Sequence, residues 1–345
     1  MTPQAPATTA TRPPVMSVRG LTKDFTSGGL FSRARHRALN AVDLDIPHGR
    51  IVALVGESGS GKSTLARCLA RLEQPTRGEI RLDGQDVLRT RKRGASRAYR
   101  GAVQMVFQDP FGSLNPVHRV EHFLRRPLLL HGKPAQESDL RALMTTVGLD
   151  ADMLQSYPHE LSGGQRQRVA VARALAVDPR LVLADEPTSM LDVSVRVGIL
   201  NLMRRLRDER SISMLYITHD LASARYVADT IQVLFAGELV EGGDSLALMD
   251  RPAHPYTQLL LSAVPDPERT EPYDPVRRAA LRAAVLTPES CPYAAEGTCS
   301  RTTPVRHVIG EDDGEPHWVR CHLYAPATPT ARRVLTAAVP ETENG

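Results

Sequence analysis

Ile51-Val-Ala-Leu-Val55 runs straight into Gly56-Glu-Ser-Gly-Ser-Gly61-Lys62-Ser63-Thr64. The apolar run reads as a buried strand, the glycine-rich stretch as a tight loop, and Leu65, Cys68 or Leu69, and Leu72 as one face of a following helix. The spacing G-x-x-x-x-G-K-[S/T] has a physical rationale. Gly56, Gly59 and Gly61, interleaved with Glu57, Ser58 and Ser60, let backbone N–H groups converge on phosphate oxygens. Lys62 reaches the outer phosphates, the Ser63 hydroxyl serves Mg²⁺, and the helix that continues through Thr64 adds its positive dipole end. Cys68, on the predicted buried face, reads as core filler. The motif assigns the chain to the P-loop nucleotide binders, a class that still includes kinases, GTPases and helicases.

Two further strands narrow the chemistry. Leu181-Val-Leu-Ala184 reads as a buried parallel strand that delivers Asp185 and Glu186 at its C-terminal edge, where open α/β sheets bind ligands. Asp185 is suited to hold Mg²⁺ through its hydration shell, and Glu186 to orient or deprotonate an attacking water. Met214-Leu-Tyr-Ile217 predicts a third strand, ending in Thr218-His219-Asp220, with His219 in reach of the terminal phosphate. Between them lies Leu161-Ser-Gly-Gly-Gln165, leading into a predicted helix over Arg166 to Val177. Ser162 is a good N-cap, while Gly163 and Gly164 allow close backbone approach ahead of Gln165. A second helix start suited to an anion is redundant within one P-loop domain, but makes sense if it covers a nucleotide held by another copy.

In order and spacing, these motifs make residues 15 to 265 resemble the ATP-binding-cassette (ABC) proteins. The resemblance implies an α/β P-loop ATPase fold: a parallel-sheet core, an antiparallel β subdomain, and a helical subdomain at about residues 111 to 161. It also implies roles for residues outside the phosphate loop. Phe25 in Leu-Thr-Lys-Asp-Phe looks like the aromatic that stacks on adenine. Gln108 in Val-Phe-Gln-Asp-Pro looks like the glutamine that touches Mg²⁺ and water, joining Ser63 and Asp185 around the metal. Glu186 looks like the catalytic acid, His219 like the switch histidine, and Ser162 to Gln165 like the signature that covers the opposite subunit's ATP. Asp192, in Ser189-Met-Leu-Asp192, looks like part of the loop through which paired subunits communicate, with Met190 where Ala is usual. The implied mechanism is ATP hydrolysis in a head-to-tail pair of cassettes, identical or paralogous.

The phrases Phe107-Gln-Asp-Pro-Phe-Gly-Ser-Leu-Asn-Pro116, Tyr157-Pro-His-Glu-Leu161 and Arg251-Pro-Ala-His-Pro-Tyr-Thr257 are similar to those of dipeptide and oligopeptide importer ATPases. This branch also includes carriers of nickel and other small solutes. Its members work with two transmembrane permease subunits and an extracytoplasmic solute-binding protein, peripherally on the cytoplasmic face of the membrane. From about residue 265 the character changes: Pro265, Pro267, Pro272 and Pro275 precede a short helical run around Val276 to Val285, so residues 266 to 345 read as a C-terminal accessory segment. Within it, Cys291, Cys299 and Cys321 accompany His307, His317 and His322. The branch often carries four cysteines in this tail, and here there are three. Three readings stand: a histidine completes a zinc or iron–sulfur site, a cluster binds incompletely, or the thiols only pack.

Composition sets the outer limits. With 345 residues, the chain has room for one nucleotide-sized domain plus an appendage. A net charge of +4 suits scattered arginines on solvated helices. Aromatics at 4% argue against a surface that stacks nucleobases, and the basic run Arg89 to Arg100 has only Tyr99 interleaved, so no nucleic-acid partner is expected. ABC proteins of DNA repair or the ribosome carry a long coiled-coil insertion or two cassettes, and each motif occurs once here. A small-molecule kinase has no use for the Ser162 to Gln165 cap. No apolar run approaches the roughly 18 residues that span a bilayer. Residues 1 to 14, rich in Thr, Ala and Pro, read as a disordered leader rather than a signal peptide, which predicts a cytoplasmic location.

Overall fold

A computed structural model describes residues 13–27, 34–89, 93–262 and 304–324. Near the N-terminus, β1 (Met16–Ser27) and β2 (Ala34–Ile46) form an antiparallel pair. Next come β3 (Ile51–Val55), α1 (Lys62–Leu69), β4 (Arg77–Leu82) and β5 (Gln85–Asp86). The first, second, fourth and fifth strands make a four-stranded antiparallel sheet in the order β2-β1-β4-β5. The remaining strand, β3, belongs elsewhere.

After α2 (Arg93–Ala102) the chain supplies β6 (Val103–Val106), the one-turn α3 (Pro110–Ser113), α4 (Val120–Leu130), α5 (Glu137–Thr146), α6 (Gly163–Leu175), β7 (Leu181–Asp185) and α7 (Val193–Arg210). Then follow β8 (Ser213–Thr218), α8 (Leu221–Val227), β9 (Thr230–Phe235), β10 (Glu238–Asp244), α9 (Ser245–Asp250), α10 (Pro255–Leu261), β11 (His307–Asp312) and β12 (Glu315–Val319). The main sheet has the order β11-β12-β10-β9-β3-β8-β7-β6. From β9 through β6 all neighbours run parallel, and from β9 outward through β11 they run antiparallel.

Period-two alternation explains the layering. Ile51, Ala53 and Val55 enter one apolar cluster with Val182, Ala184, Met214 and Tyr216 and with residues of α4 to α10. Val52 and Leu54 enter a second cluster with Leu181, Leu183, Leu215 and Ile217, facing α1 and the antiparallel sheet. The central strands are therefore apolar on both faces, as buried parallel strands must be. Cys68 is buried in the second cluster, and burial pushes its thiol up to about 11, so it packs as a hydrophobe.

Three expectations need correction. The helix after the phosphate loop stops at Leu69, and Leu72 lies beyond Arg71, at φ 56°, and is 59% exposed rather than on the buried face. The helix predicted from Arg166 begins at Gly163, because Ser162 caps it directly, and ends at Leu175. The segment Asp109 to Pro116 contains the one-turn α3, whose first position tolerates proline. The tail is not wholly an appendage: β12 pairs with β10 through Glu241↔Val319 and Gly242↔Trp318, so the β11–β12 hairpin extends the main sheet. The helical run expected at 276 to 285 and the leader before residue 13 lie outside the described residues.

Candidate functional site

The strand order builds the site. β3, β8, β7 and β6 are consecutive parallel neighbours, so the segments after their C-terminal ends meet at one sheet edge. Those segments carry the glycine loop, His219, Asp185 with Glu186, and Gln108.

In the loop, a Cβ on Gly56 would stand 2.2 Å from the Leu234 carbonyl oxygen and 2.9 Å from Ser60 Oγ, so no larger residue fits. The Lys62 ammonium lies inside the curve, donating to the carbonyls of Gly56 and Glu57 at 2.7 Å each, and the residue is only 5% exposed. Burial pulls its pKa down, while the charges of Glu186, Asp185 and Glu57 work against that shift. Ser60 is buried and donates its N–H to the Glu57 carbonyl; Glu57, Ser58 and Gly59 are exposed. Thr64 lies in the first turn of α1.

Ser63 Oγ donates to Asp185 Oδ1 at 3.0 Å. Burial raises the Asp185 carboxyl above its usual value, the Ser63 hydrogen bond opposes this, and the Glu186 charge adds to it. This hydroxyl–carboxylate pair is an all-oxygen donor set beside a phosphate cradle, which fits a hard divalent cation such as Mg²⁺.

Glu186 is the meeting point of the outer side chains. Gln108 Nε2 donates to Glu186 Oε2 at 3.0 Å, and His219 Nδ1 lies 3.1 Å from Glu186 Oε1. The Glu186 backbone is left-handed, with φ at 46°. Its N–H donates to the Ile217 carbonyl, and its own carbonyl accepts from the N–H and the hydroxyl of Ser189. Two residues on, Thr188 Oγ1 lies 3.2 Å from the Tyr216 hydroxyl, which donates to Ser223 Oγ. This buried hydrogen-bond chain was not legible in the sequence, although Thr188 and Tyr216 lie close to the two strand-end motifs.

Ser162 caps α6 in a reciprocal box: its hydroxyl accepts from Gln165 N–H at 3.3 Å, and its own N–H donates to Gln165 Oε1 at 2.8 Å. A Cβ on Gly164 would come within 2.3 Å of Val195 Cγ1 on α7, so Gly164 permits a close helix contact, and Gly163 precedes it in the first turn. Asp192 stands at the N-cap position of α7. Phe25 lies on β1, 36% exposed, with Lys23 Nζ 4.6 Å from its ring centroid.

The tail gives the metal expectation no support. Cys291 and Cys299 lie outside the described residues, and among the described residues no group of three His, Cys, Asp or Glu is arranged to hold a metal. His317, named above as a candidate ligand, is buried with Nε2 2.8 Å from Glu241 Oε1, so that nitrogen is already committed. Among the described residues no helix is long and apolar enough to cross a membrane.

Residues 39–189 match the family described as ABC transporter, and residues 240–303 match the C-terminal region of oligopeptide/dipeptide transporters. A dipeptide transport ATP-binding protein of Escherichia coli is 42% identical over 84% of this chain and 90% of its own length. A di/tripeptide transport ATP-binding protein of Pseudomonas aeruginosa is 41% identical over 89% and 97%. Among solved structures, the dimeric post-hydrolysis state of the ATP-binding cassette MJ0796, bound to ADP and Pi, aligns with a TM-score of 0.60 at 30% identity, covering 67% of this chain and 98% of that one. With its phosphate loop and acidic strand end at one sheet edge, the chain belongs to the ABC transporter ATP-binding subunits, in the oligopeptide/dipeptide transporter family.

Proposed function

We propose that this chain binds and hydrolyses ATP as a motor subunit of an importer of dipeptides or short oligopeptides. The observation that carries the reading is the convergence, at one sheet edge, of the buried Lys62, the Ser63–Asp185 pair and the Gln108–Glu186–His219 cluster.

Each group has a separate task. The loop amides and Lys62 hold the phosphate chain, and Phe25 offers its exposed face to the base. Ser63, Asp185 and Gln108 would hold Mg²⁺, which when bound offsets charge on the phosphates. Glu186, fixed from both sides by Gln108 and His219, orients the attacking water and receives its proton. The bond broken joins the terminal phosphorus to its bridging oxygen, the new bond is to the water oxygen, and the products are ADP and phosphate. Rate enhancement comes from positioning and fixed charge rather than from a covalent intermediate.

The ATP-binding domain then occupies about residues 15 to 265, with the helical subdomain of about 111 to 161 turned to the transmembrane partner. Ser162 to Gln165 of one cassette cover the ATP of a second cassette, with Asp192 at the contact between them. The dimeric state of the MJ0796 cassette supports the pairing of two cassettes. Two permease subunits and an extracytoplasmic solute-binding protein complete the assembly, with the ATPase peripheral on the cytoplasmic face.

Deleting the gene and following labelled dipeptide, oligopeptide and nickel uptake tests the proposal. Peptide uptake is expected to fall, to return with the wild-type gene, and not to return with Lys62→Ala. Unchanged peptide uptake in a deletion strain with no second cassette able to substitute rejects the peptide reading. Loss of nickel uptake alone reassigns the solute and leaves the ATPase reading standing.

A further inference from the structure

The His254-Pro-Tyr-Thr257 segment lies about 200 residues from the phosphate loop in sequence, yet it touches that loop: the Tyr256 hydroxyl accepts a hydrogen bond from the Glu57 N–H at 2.8 Å. The other end of that same peptide, the Gly56 carbonyl, accepts from Lys62 Nζ at 2.7 Å, and the carbonyl of the next peptide, that of Glu57, accepts from Lys62 Nζ at 2.7 Å and from Ser60 N–H at 3.2 Å. The Gly56–Glu57 peptide plane is therefore held on its donor side by Tyr256 and on its acceptor side by Lys62. Glu57, Ser58 and Gly59 are exposed, so apolar packing does not hold this limb of the loop.

Tyr256 itself is rigidly placed. It is 0% exposed, and its ring lies against Phe235 with centroids 4.4 Å apart. Burial pushes the phenol up to about 12, so the hydroxyl stays neutral and keeps its lone pairs for Glu57. Its backbone N–H donates to His254 Nδ1 at 3.1 Å. The turn ahead of it is anchored by a fully buried carboxylate, Glu241, which accepts from Ala253 N–H at 2.7 Å and His254 N–H at 2.9 Å and pairs with His317 Nε2 at 2.8 Å. A continuous buried path thus runs from the tail hairpin through Glu241 and the turn at 253–256 to the phosphate loop.

We infer that Tyr256 is a positioning residue for nucleotide binding, holding the Glu57 peptide so that the loop and its Lys62 acceptors are ordered before phosphate arrives. The Glu241–His317 pair, in turn, seats Tyr256. Preorganisation of this kind lowers the ordering cost of binding and acts on ground state and transition state alike. It therefore moves affinity rather than turnover. This inference rests on the reading that the loop holds ATP.

Tyr256→Phe, which keeps the ring and deletes only the hydroxyl, is the test, made in the full chain. Loss of one neutral hydrogen bond from the loop is expected to raise the Kd for MgATP about fivefold, with kcat in the assembled transporter changing less than about twofold. The thermal midpoint stays close to the wild-type value, and amide exchange at Glu57 quickens while that of β3 does not. A wild-type Kd in the variant, or a weakened Kd that only tracks a fallen thermal midpoint, overturns the positioning role. A wild-type chain that binds no MgATP overturns the reading of the loop itself, and this inference with it.

Discussion

Glu186 holds a backbone conformation that few non-glycine residues adopt, and it does so between two side chains that aim its carboxylate. The hydrogen bonds at its N–H and carbonyl over-determine that conformation. Glu186→Gln keeps the size and removes the carboxylate that we propose accepts the proton. Turnover is expected to fall by about 10² to 10³ while MgATP still binds, whereas Lys62→Ala weakens binding itself. Single-turnover hydrolysis alongside nucleotide binding separates the two; equal turnover in wild type and Glu186→Gln would remove the base from Glu186. The residue types at these positions were legible from local pattern, because a glycine loop after an apolar run and two acids after another are short-range signals. The Gln108–Glu186–His219 contacts were not, because they depend on β8 lying beside β7 and β7 beside β6, an order that no local pattern contains. Tyr256 was hidden for the same reason, its partner Glu57 being distant in the chain.

Two elements bring stability and geometry together. The first is α6, whose opening turn is pressed against α7 at Gly164. Val195 is β-branched and cannot swing aside cheaply, so Gly164→Ala must displace either that side chain or the start of α6. Hydrolysis in the assembled transporter is expected to drop by about tenfold or more, and the double variant Gly164→Ala with Val195→Ala to recover most of it. No recovery in the double variant would place the role of Gly164 in something other than this helix contact. The second is α10, capped by His254 through its ring nitrogen. Burial holds that imidazole neutral, bringing its pKa from 6.5 to about 4. The folded value is the lower one, so as pH falls the unfolded chain takes up the proton first. Stability is then complete above about pH 6.5 and is lost as pH drops toward 4. From about pH 7.5 to 5 the loss due to this group is roughly 2 kcal/mol. His254→Asn, which keeps a cap acceptor that does not titrate, should flatten the decline in urea-unfolding free energy, and identical slopes in the two proteins would discount the histidine. At this scale strands β3, β7 and β8 and the existence of helices α1 and α6 followed from apolar runs and cap signals. The β11–β12 hairpin did not, because a stretch with exposed valines and an isoleucine becomes a sheet edge only by pairing with β10.

At the scale of the whole molecule, the question is how a change at the sheet edge reaches a membrane partner. The segment after Gln108 has the right attachments. Gln108 is bonded to Glu186; five residues later the Ser113 carbonyl accepts from Arg173 Nη1 of α6 at 2.7 Å; and Leu114 is almost fully buried in the apolar cluster shared with α4 and α6. Beyond that anchor Val117 is 69% exposed, and His118 and His122 stack with ring centroids 3.9 Å apart on the outer side of the helical layer. We expect a shift of Gln108 relative to Glu186 to enter the start of that layer through this short segment, tied at Ser113 and Leu114. The Arg173 side chain is part-buried, which draws its pKa down, and it donates to the Ser113 carbonyl. Replacing it with an apolar side chain of similar length cuts the tie without leaving a charge behind. With Arg173→Met in proteoliposomes, ATP hydrolysis is expected to persist within about threefold of wild type while labelled dipeptide uptake falls about tenfold, the signature of an uncoupled motor. The measurement is phosphate release and uptake in the same vesicles. If both activities fall in parallel, Arg173 serves the ATP site itself; if neither falls, the motion reaches the membrane subunits by another path.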